Sequence, residues 1–92
     1  MSLPDYQSFM TPLLQCLASG KTVKLKDIEA NVYQSLSLSA EQLKLRIPSG
    51  KQTYAYHRLS WAKTYLVKAG LIEQPKRAFC KITQKGLSAL AA

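Results

Sequence analysis

Short polar and basic side chains recur at helical spacing in the middle of the chain, with no carboxylate among them. The sequence has no Asp or Glu between Gln42 and Ile72, whereas solvated helix faces usually pair Lys with an acid one turn away. Hydroxyls, an imidazole and cations on one helix face can hydrogen-bond to base edges, and a helix fits the major groove of DNA. The alternative is an ordinary solvated face. The side chains predicted to share this face are Thr53, His57, Ser60, Thr64 and Lys68.

The turn before this helix predicts an anion site. The amides at a helix N-terminus carry partial positive charge and bind phosphate. Lys51 adds a full charge, and Gln52 has the donor and acceptor needed to bind adenine bidentately. Turn formation alone would also explain a Ser-Gly pair here. The residues of this predicted site are Ser49, Gly50, Lys51, Gln52 and Thr53.

Two adjacent cations, Lys76 and Arg77, lie between short apolar runs. At the tip of a β-hairpin they can follow the DNA backbone or enter the minor groove. Exposed charge at a hairpin also protects a sheet edge from pairing with other chains. The sequence favours phosphate contact, with edge protection as the alternative.

Several side chains beside the polar face have two interpretations. Arg58 is predicted to be half-covered, either contacting DNA or pairing with an acid such as Asp27 or Glu29. Lys63 is included among the predicted DNA contacts. The aromatic residues Tyr54, Trp61 and Tyr65 are predicted at the core margin rather than as platforms for base stacking.

The remaining reactive residues do not form a catalytic or metal-binding pattern. The single histidine has no Cys, Asp or second His at ligand spacing. The acids show no paired arrangement, and there is no nucleophile motif or Gly-rich phosphate loop. Cys16 and Cys80 lie in apolar runs and are predicted as small buried hydrophobic residues. We therefore expect no enzymatic activity, cofactor or metal.

Charge divides the chain into a neutral half and a basic half. The 92 residues carry a net charge of +8. Residues 1–45 contain four bases and four acids, whereas residues 46–92 contain nine bases and one acid, Glu73. This asymmetry predicts a scaffold joined to an anion-binding surface. With 47% apolar and 20% charged residues, the chain is predicted to fold as one globular domain over residues 1–92.

The elements that position these residues follow from apolar spacing. Stripes at helical spacing predict a first helix from Tyr6, capped by Asp5 and ended by Gly20, and a second helix over residues 26–37. Pro12 is expected to kink the first helix or to begin a second piece. A short edge strand is predicted at residues 22–25. Ser39 and Gln42 form a capping-box pattern.

The basic half predicts a long helix, a hairpin and a final helix. The long helix spans about residues 52–69, with Ala55, Leu59, Ala62, Leu66 and Ala69 on its buried stripe. Two short strands then flank the turn at residues 75–78, and Thr83 caps the last helix. The predicted fold is mainly α with a small β-hairpin, a winged helix-turn-helix. No signal peptide or membrane span is visible, so a cytoplasmic location without membrane contact is expected.

The run PSGKQTYAYHRLSWAKTYLVKAGLIEQPKRAFCKITQKG resembles the N-terminal domain of Mrr-type restriction proteins, as does the opening PDYQSFMTPLLQCLASGK. The resemblance covers essentially the whole chain. It implies a winged-helix module that precedes a nuclease domain in proteins that cut DNA carrying methylated bases. The chain stops where that nuclease would begin, so its hydrolysis and divalent metal are not carried over. The chain is then either a fragment or a free-standing paralogue.

The sequence departs from this family at His57, commonly Asn, at Ser60, commonly Gly, and at Ala78, commonly Gly. We expect double-stranded DNA, methylated in the family's known targets, as the partner, with a nuclease domain or subunit if the chain is a fragment. The alternatives are a transcriptional regulator and a protein-interaction module. Such a module would form a homodimer through its first and last helices, since residues 87–92 are small and apolar.

Overall fold

The computed structural model describes residues 3–91 and has the predicted α+β, winged-helix-like architecture. Its three strands form an antiparallel sheet in the order β1-β3-β2. The elements are α1 (Tyr6–Cys16), β1 (Val23–Lys24), α2 (Leu25–Ser35), α3 (Ala40–Lys44), α4 (Tyr54–Lys68), β2 (Ile72–Glu73), β3 (Phe79–Ile82) and α5 (Gln84–Ala91).

The core forms mainly where α1 packs against α4. Phe9 and Leu13 of α1 are fully buried, as is Leu59 of α4. Ala55 and Ala62 on the same stripe of α4 are also inaccessible to solvent. Because an alanine side chain is only a methyl group, these positions let α1 approach the backbone of α4 closely. The predicted buried stripe of the long helix is confirmed for four of its five residues and is wrong at Ala69, which is exposed at the C-cap where the helix ends.

Helix α1 passes through Pro12 as one element. The Asp5 carboxylate accepts the backbone N–H of Ser8 and confirms the predicted N-cap. The prediction that Pro12 begins a second helical piece is wrong, since α1 continues to Cys16. The helix also ends before Gly20, which lies in a later turn with φ +82°.

A small polar cluster joins α2 to α4. Lys26 Nζ lies 4.5 Å from the ring centroid of Tyr56 and 3.2 Å from a carboxylate oxygen of Glu29. The Tyr33 hydroxyl donates to the same carboxylate over 2.9 Å. Burial, followed by this hydrogen bond, raises the pKa of Tyr33 above its usual range. Glu29 is thus engaged within α2.

The ends of the helices use local caps. Ser39 and Gln42 form the predicted capping box at α3. At the end of α2, Ser37 has φ +55°, and the N–H of Leu38 donates to the carbonyl of Tyr33. Gly70 performs the same function after α4 with φ +78°. Both ends are Schellman motifs, which satisfy the last carbonyls of a helix.

The hairpin and α5 close the other side of the core. β3 lies between β1 and β2, with Ile82 opposite Ile72 and Cys80 opposite Val23. The predicted cap at Thr83 is confirmed, since its hydroxyl oxygen accepts the N–H of Gly86. A Cβ at Gly86 would collide with the Leu71 carbonyl oxygen, so only glycine lets α5 approach this closely.

The two cysteines are free thiols in different surroundings. Cys80 lies in the core as predicted, whereas Cys16 is only half-buried. Burial raises the pKa of both thiols, and the charge of Lys63 partly offsets this at Cys80. Over residues 3–91, none of the helices combines the length and apolar character that crossing a lipid bilayer requires.

Candidate nucleic-acid interface

The outer face of α4 carries a shallow depression. His57, Ser60 and Thr64 point away from the buried stripe because each lies two residues from Leu59 or Ala62, which is about 200° around the helix axis. The depression has a volume of about 300 Å³ and opens to solvent. It is lined by Gln52, His57, Ser60, Trp61 and Thr64. Four of these five residues are predicted DNA contacts, so the structure brings that part of the prediction together.

Hydrogen bonds order the side chains in this depression. The indole Nε1 of Trp61 donates to Nε2 of His57 over 3.1 Å. The side-chain nitrogen of Gln52, Nε2, lies 3.0 Å from Nδ1 of the same ring. The Thr64 hydroxyl donates to the Ser60 carbonyl oxygen of the preceding turn, which leaves its lone pairs facing solvent. The depression therefore presents polar atoms in fixed positions.

Trp61 lies outside the predicted core margin. Its side chain is 45% exposed, and its ring meets His57 edge-on with centroids 6.3 Å apart. The core-margin prediction is therefore wrong for this residue. Tyr65, one turn later, is also exposed, but its ring stacks on Tyr6 of α1 with ring centroids 4.6 Å apart. Tyr54 is half-buried.

The turn before α4 is closed by backbone hydrogen bonds. Ile47 N–H donates to the Gln52 carbonyl, and Gly50 N–H donates to the Ile47 carbonyl. Gly50 has φ +74°, which glycine adopts readily. The Arg46 guanidinium donates to the Gly50 carbonyl oxygen over 3.1 Å, so this cation lies against the turn. Lys51 and Ser49 are exposed on its surface.

The amides at the start of α4 are largely occupied. Thr53 caps the helix, since its hydroxyl oxygen accepts the N–H of Tyr56. The N–H of Tyr54 donates to the Leu45 carbonyl over 2.8 Å. Two of the first free amides of the helix are therefore bonded within the protein. The positive charge that this turn offers an anion comes chiefly from Lys51 and Arg46, and sequence reasoning missed Arg46.

Arg58 has a structural role, but its partners differ from those that the sequence predicted. Its Nη1 donates to the carbonyl oxygens of Leu3 and Pro4, both over 2.9 Å. Its guanidinium carbon lies 5.5 Å from the ring centroid of Tyr54. The predicted pairing with Asp27 or Glu29 is wrong, because this side of α4 faces the start of the chain. Carbonyl acceptors leave no signal in side-chain spacing.

The other cations of α4 lie on different sides of the helix. Lys68 is exposed, with Nζ 5.7 Å from the ring centroid of Tyr65. Lys63 is half-buried on the flank near Cys80, whose pKa its charge lowers. Lys63 thus lies towards the sheet, away from the depression. Lys85 of α5 donates to the Ala69 carbonyl over 3.0 Å and caps the end of α4.

Lys76 and Arg77 are exposed in the turn between β2 and β3, as predicted. We call residues 72–82 the wing. Lys76 Nζ lies 4.4 Å from the ring centroid of Phe79, which orients this side chain. Ala78 has φ +70°, in the left-handed region that favours glycine.

The candidate interface is polar and cationic. Over residues 3–91, no three His, Cys, Asp or Glu side chains lie close enough together to hold a metal ion. The depression offers a Gln amide, an imidazole, two hydroxyl groups and an indole ring. Such groups bind ligands by hydrogen bonding and apolar contact.

Comparison with known proteins agrees with the resemblance seen in the sequence. The family model described as the Mrr N-terminal domain matches residues 6–92. No curated protein matches the chain, and no solved structure does. The match spans nearly every residue, including α4, the wing and α5. The chain therefore belongs to the Mrr N-terminal domain family.

Proposed function

We propose that this chain binds double-stranded DNA as the target-recognition domain of an Mrr-like, modification-dependent restriction system. The observation that carries the proposal is the outer face of α4, where polar side chains line a depression and no acid occurs between Gln42 and Ile72. A negative ligand meets no opposing carboxylate along this face. Membership of the Mrr N-terminal domain family supports the link to restriction.

In the proposed pose, α4 enters the major groove with the depression towards the base edges. The turn of residues 46–53 and the wing then contact phosphates on either side. Phosphate contacts orient such a domain, and base-edge contacts select the sequence. In this pose five exposed cations contact the backbone: Arg46, Lys51, Lys68, Lys76 and Arg77. Arg58 is left out of this pose, because its Nη1 group donates to two backbone carbonyl oxygens within the fold.

The test is a titration with duplex DNA at several salt concentrations. Five phosphate contacts would release condensed counterions, so log K should fall with log salt with a slope of roughly −4 to −5. A slope near zero would contradict the proposed electrostatic interface. Methylated and unmethylated duplexes of one sequence, compared at a single salt concentration, then measure the preference for modified bases.

One observation favours a second candidate, a module that pairs with another protein. An apolar groove of about 410 Å³ lies between α1, the end of α4 and α5. It is lined by Met10, Thr11, Leu14, Gln15, Leu66, Leu71, Ala89 and Leu90. Gel filtration with and without duplex DNA distinguishes the two candidates. A dimer that does not bind DNA would favour the pairing module.

A further inference from the structure

Three side chains of the depression form a continuous chain of hydrogen bonds. Trp61 Nε1 lies 3.1 Å from His57 Nε2, and His57 Nδ1 lies 3.0 Å from Nε2 of the Gln52 side-chain amide. Trp61 follows His57 by one helical turn, whereas Gln52 lies in the preceding turn of the chain. These hydrogen bonds therefore connect Trp61 on α4 to Gln52, the predicted base contact in the turn before the helix.

The indole group determines where the imidazole proton lies. An indole N–H can only donate, so His57 Nε2 must accept. A neutral imidazole carries one N–H, and its proton is then on Nδ1. Nδ1 in turn needs an acceptor, which in Gln52 is the amide oxygen. The structure places the Gln52 nitrogen beside Nδ1, and rotating the amide plane by half a turn brings the oxygen there without changing the shape of the side chain.

We propose that Trp61, acting through His57, sets the hydrogen-bonding direction of Gln52 and makes this residue select guanine. The inference rests on the proposed DNA binding. With its oxygen bonded to His57, Gln52 presents its NH₂ group to a ligand. The major-groove edge of guanine offers two acceptors, N7 and O6, whereas adenine places a donor beside N7 and cytosine presents a donor. Bidentate adenine binding, which the sequence suggested, would need the same oxygen.

Trp61 is on this view a positioning residue for base selection. Its exposed ring leaves the fold intact when changed, since the side chain is 45% accessible. Trp61→Phe keeps an aromatic ring and removes only the indole N–H. Tyr65→Phe is the matched control, because it changes an exposed aromatic residue one turn further along α4 that lies outside the hydrogen-bonded chain.

The first experiment needs no DNA. The protein has one histidine, so long-range ¹H–¹⁵N correlation spectra of the neutral ring report His57 alone. We expect the Nδ1–H tautomer in the parent protein and in Tyr65→Phe, and a gain of the Nε2–H form in Trp61→Phe. An Nε2–H tautomer in the parent protein, or no change in Trp61→Phe, would overturn the inference whether or not the protein binds DNA.

The second experiment measures base preference by selection from a library of random duplexes. We expect guanine enrichment at one position, which Trp61→Phe reduces about tenfold, as expected for loss of one oriented base contact. Affinity for bulk DNA should stay within about twofold, because no cation changes. An unchanged guanine preference in Trp61→Phe would overturn this inference but leave the proposed DNA binding intact. Absence of duplex binding by the parent protein would overturn the proposed function as well.

Discussion

The Arg58 guanidinium donates from Nη1 to the carbonyl oxygens of Leu3 and Pro4, over 2.9 Å in each case. These bonds attach the start of the chain to α4 across more than fifty residues of sequence. A cation in the basic half of the chain therefore stabilises the fold, although composition alone groups it with the candidate DNA contacts. Counting charges cannot distinguish a cation that stabilises the fold from one that contacts DNA, because the two differ only in whether the acceptor is a backbone carbonyl or a phosphate oxygen.

Arg58→Met tests this assignment at a single side chain. Methionine keeps the apolar stem and removes the donors, so the free energy of unfolding should fall by about 1–2 kcal/mol in urea denaturation. The salt slope of DNA binding should not change. Lys21→Met is the control, since it removes an exposed cation of the neutral half and should leave stability within about 0.5 kcal/mol. A salt slope reduced by about one unit with stability intact would instead make Arg58 a phosphate contact.

At the residue scale, the sequence predicted most of the residues that line the depression, but it did not predict the hydrogen bonds between them. Helical spacing placed His57, Ser60 and Thr64 on one face because the period of an α-helix is fixed. Trp61 was predicted at the core margin, since large aromatic residues are commonly buried. Its exposure follows instead from helical spacing, since Trp61 lies about 40° from His57 but about 100° or more from Leu59 and Ala62 around the helix axis.

Among the elements, the wing combines a tight turn with a residue poorly suited to it. Ala78 has φ +70°, and its Cβ is crowded by the neighbouring carbonyl in this conformation. The β3 strand that follows lies in the centre of the sheet. Strain at this turn therefore lies next to β3, the central strand that pairs with both β1 and β2.

Ala78→Gly should therefore stabilise the protein. Removing the Cβ relieves roughly 1 kcal/mol of backbone strain, part of which is offset by the greater freedom of glycine in the unfolded chain. For a domain of this size, a net gain of about 0.5 kcal/mol raises Tm by roughly 2–4 °C. Calorimetry measures the change. The control Ala30→Gly, at an exposed position inside α2, should lower Tm because its φ is helical.

The boundaries of the elements show where local signals are sufficient. The capping box at Ser39 and the caps at Asp5 and Thr83 were predicted from side chains within three residues of the amides they accept. Helix α4 was predicted to begin near residue 52 but begins at Tyr54. Thr53 instead pairs with Arg46 in an isolated bridge, a contact between segments that helical periodicity does not reveal.

In the whole molecule, the cations of the basic half lie on several separate elements of the fold. Lys51 lies in the turn before α4, Lys68 near its end, and Lys76 and Arg77 in the wing. Two other cations of the basic half, Arg58 and Lys85, donate to backbone carbonyl oxygens within the fold. Fewer charges are free to bind phosphates than the net charge of +8 suggests.

The double variant Lys76→Ala/Arg77→Ala tests the wing within this arrangement. It should weaken binding to all duplexes alike and reduce the magnitude of the salt slope by about two units, as expected when two phosphate contacts are lost. Lys21→Ala/Lys44→Ala removes the same charge from the neutral half and should have a smaller effect. Equal effects of the two double variants in fluorescence anisotropy would indicate that only net charge matters.

The position of the chain's single tryptophan also provides an intrinsic optical probe. Trp61 lies half-exposed in the depression on the outer face of α4, beside His57. Indole emission depends on the polarity of its surroundings, so a duplex that covers this face would shift and quench the emission of one identified residue. A ligand seated in the groove between α1 and α5 would leave that residue in water. Unlabelled protein can thus report which surface is occupied.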